Sequence, residues 1–167
     1  NLVYLCNHFG LPEVAEFWEQ VIKINTWQQE RIYKIVVSRL FGNVVNKKLA
    51  ILGFSFKSNT NDTRESPAIE LCNNLLNEGA FLAINDPKVK KKQIEKDLNF
   101  NESSNKDIYS SEGGWFYEES IYSAIDNSDG VIILTEWDEY KNLDWERISR
   151  IVRSPAWIFD TRLIINP

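Results

Sequence analysis

The chain has 167 residues, enough for one domain and an appendage but too few for two full α/β domains. With 43% hydrophobic residues and six tryptophans it can bury a sizeable core, which excludes a disordered reading. A formal charge of −5 argues against non-specific nucleic-acid binding, which needs a basic surface.

The first part reads as helix. Leu2, Val3, Leu5 and Phe9 form a short helical segment ending at Gly10. Pro12 then suits the first position of a helix, where its missing N–H is not needed. Val14, Phe17, Trp18, Val21, Ile22, Ile32, Ile35, Val36 and Leu40 recur at three- and four-residue steps, and Gly42 supplies a stop. A helix over Pro12–Phe41 would be roughly 45 Å long, beyond ordinary globular length. It is expected to span between domains or to pack on another subunit.

The period then changes. Lys48-Leu49-Ala50-Ile51-Leu52-Gly53 is a short apolar run, the mark of a strand buried on both faces. A polar loop covers Phe54 to Glu65. Ser66 is a good N-cap, Pro67 a good first helical residue, and Ile69, Cys72, Leu75 and Leu76 give an apolar face that ends at Gly79. Phe81 to Ile84 is the second strand, stopped by Asp86-Pro87, and this β–α–β unit implies parallel strands with a right-handed crossover.

Lys88 to Gly114 is polar and rich in Asn and Ser, a helix start followed by an exposed loop. Lysines 88, 90, 91 and 92 make either a solvated helix face, the favoured reading, or a grip for a phosphate. A third strand near Trp115–Tyr117 precedes a helix over Glu118–Ile125. Val131 to Leu134 is a fourth strand. A helical stretch around Trp145–Val152 leads to a last strand at Trp157–Phe159. The fold class is therefore α/β: a doubly wound, mainly parallel Rossmann-like sheet preceded by a long α-helix. Residues 1–46 form the helical linker and dimerisation segment, and 47–167 form the α/β domain.

Ligands of open α/β sheets bind beyond the carboxyl ends of the strands, where the winding reverses. The residues there are Phe54 to Lys57 and Asn61 to Ser66 after strand one, Thr135 to Trp137 after strand four, and Asp160 to Arg162 after strand five. Lys57, Arg64 and Arg162 are thus expected near one crevice with Phe56, cations for a phosphate beside a ring that can stack on a base. Each also has a plain surface reading: Arg64 paired with Glu65, Arg162 solvated. Gly53 stands without a GxGxxG, so this is not the main cofactor domain. Glu136 is a candidate general base with no evident partner to tune it. Cys72 reads as core, and Cys6 is two residues from His8, on another helix face. Two unpaired cysteines suit a reducing compartment, and with a single histidine they argue against a metal centre. No apolar run spans a bilayer and no signal peptide opens the chain, so the setting is read as cytoplasmic with no membrane partner.

Gly53-Phe54-Ser55-Phe56-Lys57 with Thr60, Asp62, Thr63, Arg64, Glu65 and Ser66 resembles the GFxFKxxTxDTRES signature of the UDP-glucose 6-dehydrogenases, within the UDP-glucose/GDP-mannose dehydrogenase family. Asp86-Pro87, Thr135-Glu136-Trp137 and Asp160-x-Arg162 resemble its later markers in order and spacing. Leu2, Tyr4, Leu5, Pro12, Val14, Val21 and Asn25 resemble the central helix that joins the two domains of these enzymes. The resemblance implies the C-terminal, UDP-sugar-binding part of an enzyme that oxidises UDP-glucose to UDP-glucuronate with two NAD. It implies that Phe56, Lys57 and Arg162 contact the UDP-sugar and that Arg64 reaches the NAD pyrophosphate. It implies a homodimer or higher oligomer through the long helix. The family's nucleophile motif, GGxCxxKD-like, would fall before residue 1 with the dinucleotide fingerprint, so no catalytic residue is assigned here and residues 1–167 alone are expected to be inactive. The competing readings are another nucleotide-sugar dehydrogenase, for UDP-N-acetylmannosamine or GDP-mannose, and a non-catalytic helix-mediated interaction module.

Overall fold

The computed structural model describes residues 2–100, 102–103 and 113–166. Helix α1 (Leu2–His8) and the 28-residue α2 (Pro12–Arg39) come first. The α/β part follows as β1 (Lys48–Leu52), α3 (Pro67–Asn77), β2 (Phe81–Asn85), α4 (Lys91–Leu98), β3 (Gly114–Tyr117), α5 (Ile121–Ile125), β4 (Gly130–Ile133), α6 (Asp138–Lys141), α7 (Trp145–Ile151) and β5 (Trp157–Asp160).

The sheet order is β3-β2-β1-β4-β5, with every pair parallel. The chain winds outward from β1 to β3, returns to place β4 against β1, and ends at β5. The winding therefore reverses between β1 and β4, as the sequence reading requires. Period-two alternation sorts the side chains onto two faces. Leu49, Ile51, Leu82, Ile84, Trp115 and Ile132 face α3, α4 and the end of α2. Ala50, Leu52, Ala83, Phe116, Val131 and Ile133 face α5, α6 and α7. Burial of each such Leu or Ile contributes about 1.5–3 kcal/mol. The central strands β1, β2 and β4 are therefore buried along their whole length, as a sheet covered on both faces demands.

Several boundaries differ from expectation. The fifth helix starts at Ile121, not Glu118, because Ser120 is its N-cap and accepts from Ser123 N, while Glu118 N bonds the carbonyl of Ile84 as an extension of the sheet. Helix α6 was not anticipated: four residues are too few for a period, and Tyr140 fixes it by donating to the backbone and side-chain oxygens of Asn85 at 3.1 and 3.0 Å. Helix α2 ends at Arg39, two residues early, where Phe41 takes a positive φ of 65°. Part of the Asn/Ser-rich loop, 101 and 104–112, lies outside the described residues.

Only Val36 near its C-terminal end and Ala15 are buried along α2, and Tyr33 donates to Glu78 at the end of α3. Much of its apolar sequence is exposed, including Phe17 at 63%, Ile24 at 63% and Trp27 at 59%. No helix among the described residues is long and apolar enough to cross a membrane.

At the end of β1 the chain turns at Gly53, with φ +94°. A Cβ there would lie 2.5 Å from Cβ of Thr135, so both conformation and space require glycine. Gly53→Ala is expected to destabilise the domain by about 3 kcal/mol, combining a left-handed alanine with an overpacked contact. Urea unfolding followed by tryptophan fluorescence reads this directly, and an unshifted midpoint would contradict the contact.

Candidate functional site

The carboxyl ends of β1, β4 and β5 carry the candidate residues, and the loops after them are held by explicit bonds. Ser66 donates to the carbonyl of Phe54 at 2.8 Å and accepts from Ala68 N at 3.3 Å, so one hydroxyl caps α3 and ties it to the end of β1. Thr135 donates to the carbonyl of Ser55 at 2.8 Å, joining the loops after β1 and β4. Asp86, buried after β2, accepts from Phe54 N, Ser55 N, Lys88 N, Val89 N and Trp137 Nε1 at 2.7–3.3 Å.

A cleft of about 820 Å³ opens beside these strand ends. Phe56 and Lys57 reach it from the β1 loop, Glu136 from the β4 loop, and Arg162 from the turn after β5. Helix α2 and the first turn of α3 form the opposite wall. Three of the four expected site residues thus share one cleft. Lys57 and Phe56 are exposed, and the Arg162 side chain keeps 33% of its surface. Arg162 is oriented by its Nε, which donates to the carbonyl of Leu134 at 2.7 Å and lies 3.5 Å from Oε2 of Glu136. Glu136 also accepts from Ser58 N at 3.4 Å. The partner that the sequence failed to supply for Glu136 comes from β5 and the β1 loop.

Arg64 departs from expectation. It does not line the cleft, and it is not without a partner. Its Nε and Nη2 donate to the two oxygens of Asp62 at 2.9 and 2.7 Å, while 87% of the side chain stays exposed. The pair is bidentate. The side-chain bonds from Arg64, then the backbone N–H of Arg64, hold the Asp62 carboxyl down from 3.8 to about 2. The expected alternative, a pair with Glu65, is replaced by this one because Asp62 lies two residues back across a tight turn.

Cys72 is a core residue, as its place on the apolar face of α3 requires. Cys72 is fully buried, and burial pushes its thiol well up, away from a reactive thiolate. Cys6 is partly exposed on α1. Among the described residues no group of three or more His, Cys, Asp or Glu can hold a metal ion. Lys88 lies over Trp137 and donates to the carbonyl of Asn59, and Lys91 pairs with Glu102, so two of the four clustered lysines serve local structure.

A doubly wound parallel sheet with a cation-bearing cleft at its switch point is an α/β domain of the nucleotide-binding kind. Residues 50–167 match the UDP-glucose/GDP-mannose dehydrogenase family, UDP binding domain, and the chain belongs to that family. It is 45% identical over 177 aligned residues to UDP-glucose 6-dehydrogenase 2 of Arabidopsis thaliana, covering 99% of this chain and 36% of that protein. UDP-glucose 6-dehydrogenase 3 of Oryza sativa subsp. japonica is 44% identical over 174 residues, covering 100% and 36%. The chain therefore spans about 36% of the length of these curated relatives. Among solved structures, a UDP-glucose dehydrogenase from the archaeon Pyrobaculum islandicum superposes with TM-score 0.73 at 25% identity, over 98% of this chain and 32% of the other. A GDP-mannose dehydrogenase from Pseudomonas aeruginosa shares the fold, with TM-score 0.67 and 20% identity over 99% of this chain and 34% of the other.

The Asp62–Arg64 pair has a pH signature. Its folded carboxyl value lies below the ordinary one, so its contribution to stability is present above about pH 4 and is lost as pH falls towards 2. Carbon-detected NMR is expected to show Asp62 titrating near pH 2 and moving back towards 3.8 in Arg64→Ala. A midpoint near 4 in the unsubstituted protein would remove the pair.

Proposed function

We propose that residues 47–167 form the UDP-sugar-binding domain of a UDP-glucose 6-dehydrogenase, which oxidises UDP-glucose to UDP-glucuronate with two NAD, and that residues 1–46 link and dimerise it. The observation that carries this reading is the joint lining of one cleft by Phe56 and Lys57 from the loop after β1 and by Arg162 from the turn after β5. Likeness of 44–45% to proteins named UDP-glucose 6-dehydrogenase supports UDP-glucose as the substrate.

In this reading Lys57 and Arg162 neutralise the diphosphate. Arg162 is pre-oriented for the task, because its Nε is already bound to Leu134 while the terminal amino groups remain for phosphate oxygens. Phe56, 47% exposed, offers a ring face to the base. NAD, when bound, takes the hydride from the sugar carbon. The turn at Gly53 lacks the dinucleotide cradle, so this chain's fit to NAD is limited to an outer contact from Arg64, whose guanidinium Asp62 holds in one orientation. With no thiolate-forming cysteine at the cleft, residues 1–167 alone turn over no substrate. The setting we propose is cytoplasmic.

Calorimetry with UDP and UDP-glucose tests the cleft. Lys57→Ala is expected to weaken both by about tenfold, the worth of one charge-assisted contact. Unchanged binding would take Lys57 out of the site.

The uncovered apolar residues of α2, with Leu2 and Tyr4 of α1 and Phe9 just after it, are the surface proposed to pair with a second copy. Light scattering is expected to report twice the chain mass at micromolar concentration. A monomer at high concentration would count against the helix as the dimer contact.

A further inference from the structure

Resting on the nucleotide-sugar reading of the cleft, we infer that its helical wall reads the hexose, with Gln29 of α2 and Glu70 of α3 bonding the sugar hydroxyls and Asn25 beside them. The two walls differ in chemistry. Lys57 and Arg162, the cations of the cleft, come from loops at strand ends. The helical wall offers the amides of Asn25, Gln28 and Gln29 and the carboxylate of Glu70, while the Glu136 carboxylate of the strand-end wall lies against Arg162. Asn25 and Gln29 stand four residues apart on one stripe of α2, with Ile22 and Ile32 continuing it in both directions. Glu70 faces the same space one turn into α3.

Asn25, Gln29 and Glu70 have no side-chain partner within the protein among the described residues. Gln29 is half-buried against the cleft. The chemistry of these groups selects what they take. A carboxylate accepts from two neighbouring hydroxyls, and an amide both donates and accepts, which fits the vicinal hydroxyls of a sugar ring. The Glu70 carboxylate has no cation beside it among the described residues and repels phosphate, whereas Glu136 on the other wall is offset by Arg162, so the diphosphate stays beside Lys57 and Arg162. Phe56, next to Lys57, occupies the end suited to the base. A cleft of about 820 Å³ has room for the remaining hexose.

The test compares UDP with UDP-glucose, which share the diphosphate and base but differ in the hexose. The unsubstituted chain is expected to bind UDP-glucose several-fold more tightly than UDP. In Gln29→Ala/Glu70→Ala, UDP-glucose should weaken by about tenfold to the level of UDP, with no loss for UDP itself. Retained UDP binding in that variant shows that the cleft is folded, and Glu70→Gln alone should give part of the effect. An unchanged ratio of the two affinities, while Lys57→Ala still weakens both, overturns the hexose assignment and leaves the phosphate site standing. Equal loss for both ligands also overturns it. If neither ligand binds the unsubstituted chain, the nucleotide-sugar reading fails first and this assignment with it.

Discussion

The buried carboxylate of Asp86 holds the functional end of the sheet together. Five N–H groups converge on its two oxygens, from the loop after β1, from its own loop after β2, and from Trp137 after β4. Hydrogen bonds to a charged group are each worth about 1.5–3 kcal/mol, and leaving the donors unpaired in the interior would cost at least as much. The turn at Gly53, the capping of α3 by Ser66 and the bond from Thr135 to Ser55 all lie within the backbone that this carboxylate fixes. The cleft inherits its geometry from them. Lys57 stands three residues beyond Phe54, and Glu136, which faces Arg162, one residue before Trp137, so the β1 and β4 loops of the cleft are both referenced to one buried group.

Helix α2 serves two environments along one axis. Its C-terminal part is a core element, with Val36 fully buried and Ile32 packed against the same cluster. Further towards its N-terminus it leaves the domain, lines one wall of the cleft with polar residues, and turns Phe17, Ile24 and Trp27 outward. A single hydrophobic stripe cannot meet all of these demands over 28 residues. That is why its apolar positions are spread around the helix rather than gathered on one face.

The sequence by itself determined the fold class, the five strands and most of their bounds, the Ser66 cap and the identity of Cys72 as core. Those features depend on local patterns: continuous apolar runs, a helical period, and capping chemistry. It also identified the family through the residues from Gly53 to Ser66. Only the tertiary structure decided what the arginines do. Asp62-Thr63-Arg64 and Asp160-Thr161-Arg162 are the same tripeptide, and in both the arginine N–H bonds the aspartate, at 3.0 and 2.9 Å. The side chains then part. The second oxygen of Asp62 is open to Arg64, which folds back onto it. The second oxygen of Asp160 is taken by Ile164 N and Ile165 N at 2.7 and 2.8 Å, so Arg162 turns instead to Leu134 and Glu136 in the loop after the neighbouring strand. One arginine is spent on its own turn and the other enters the cleft, because competition for a carboxylate oxygen is set by chain segments that the tripeptide does not contain.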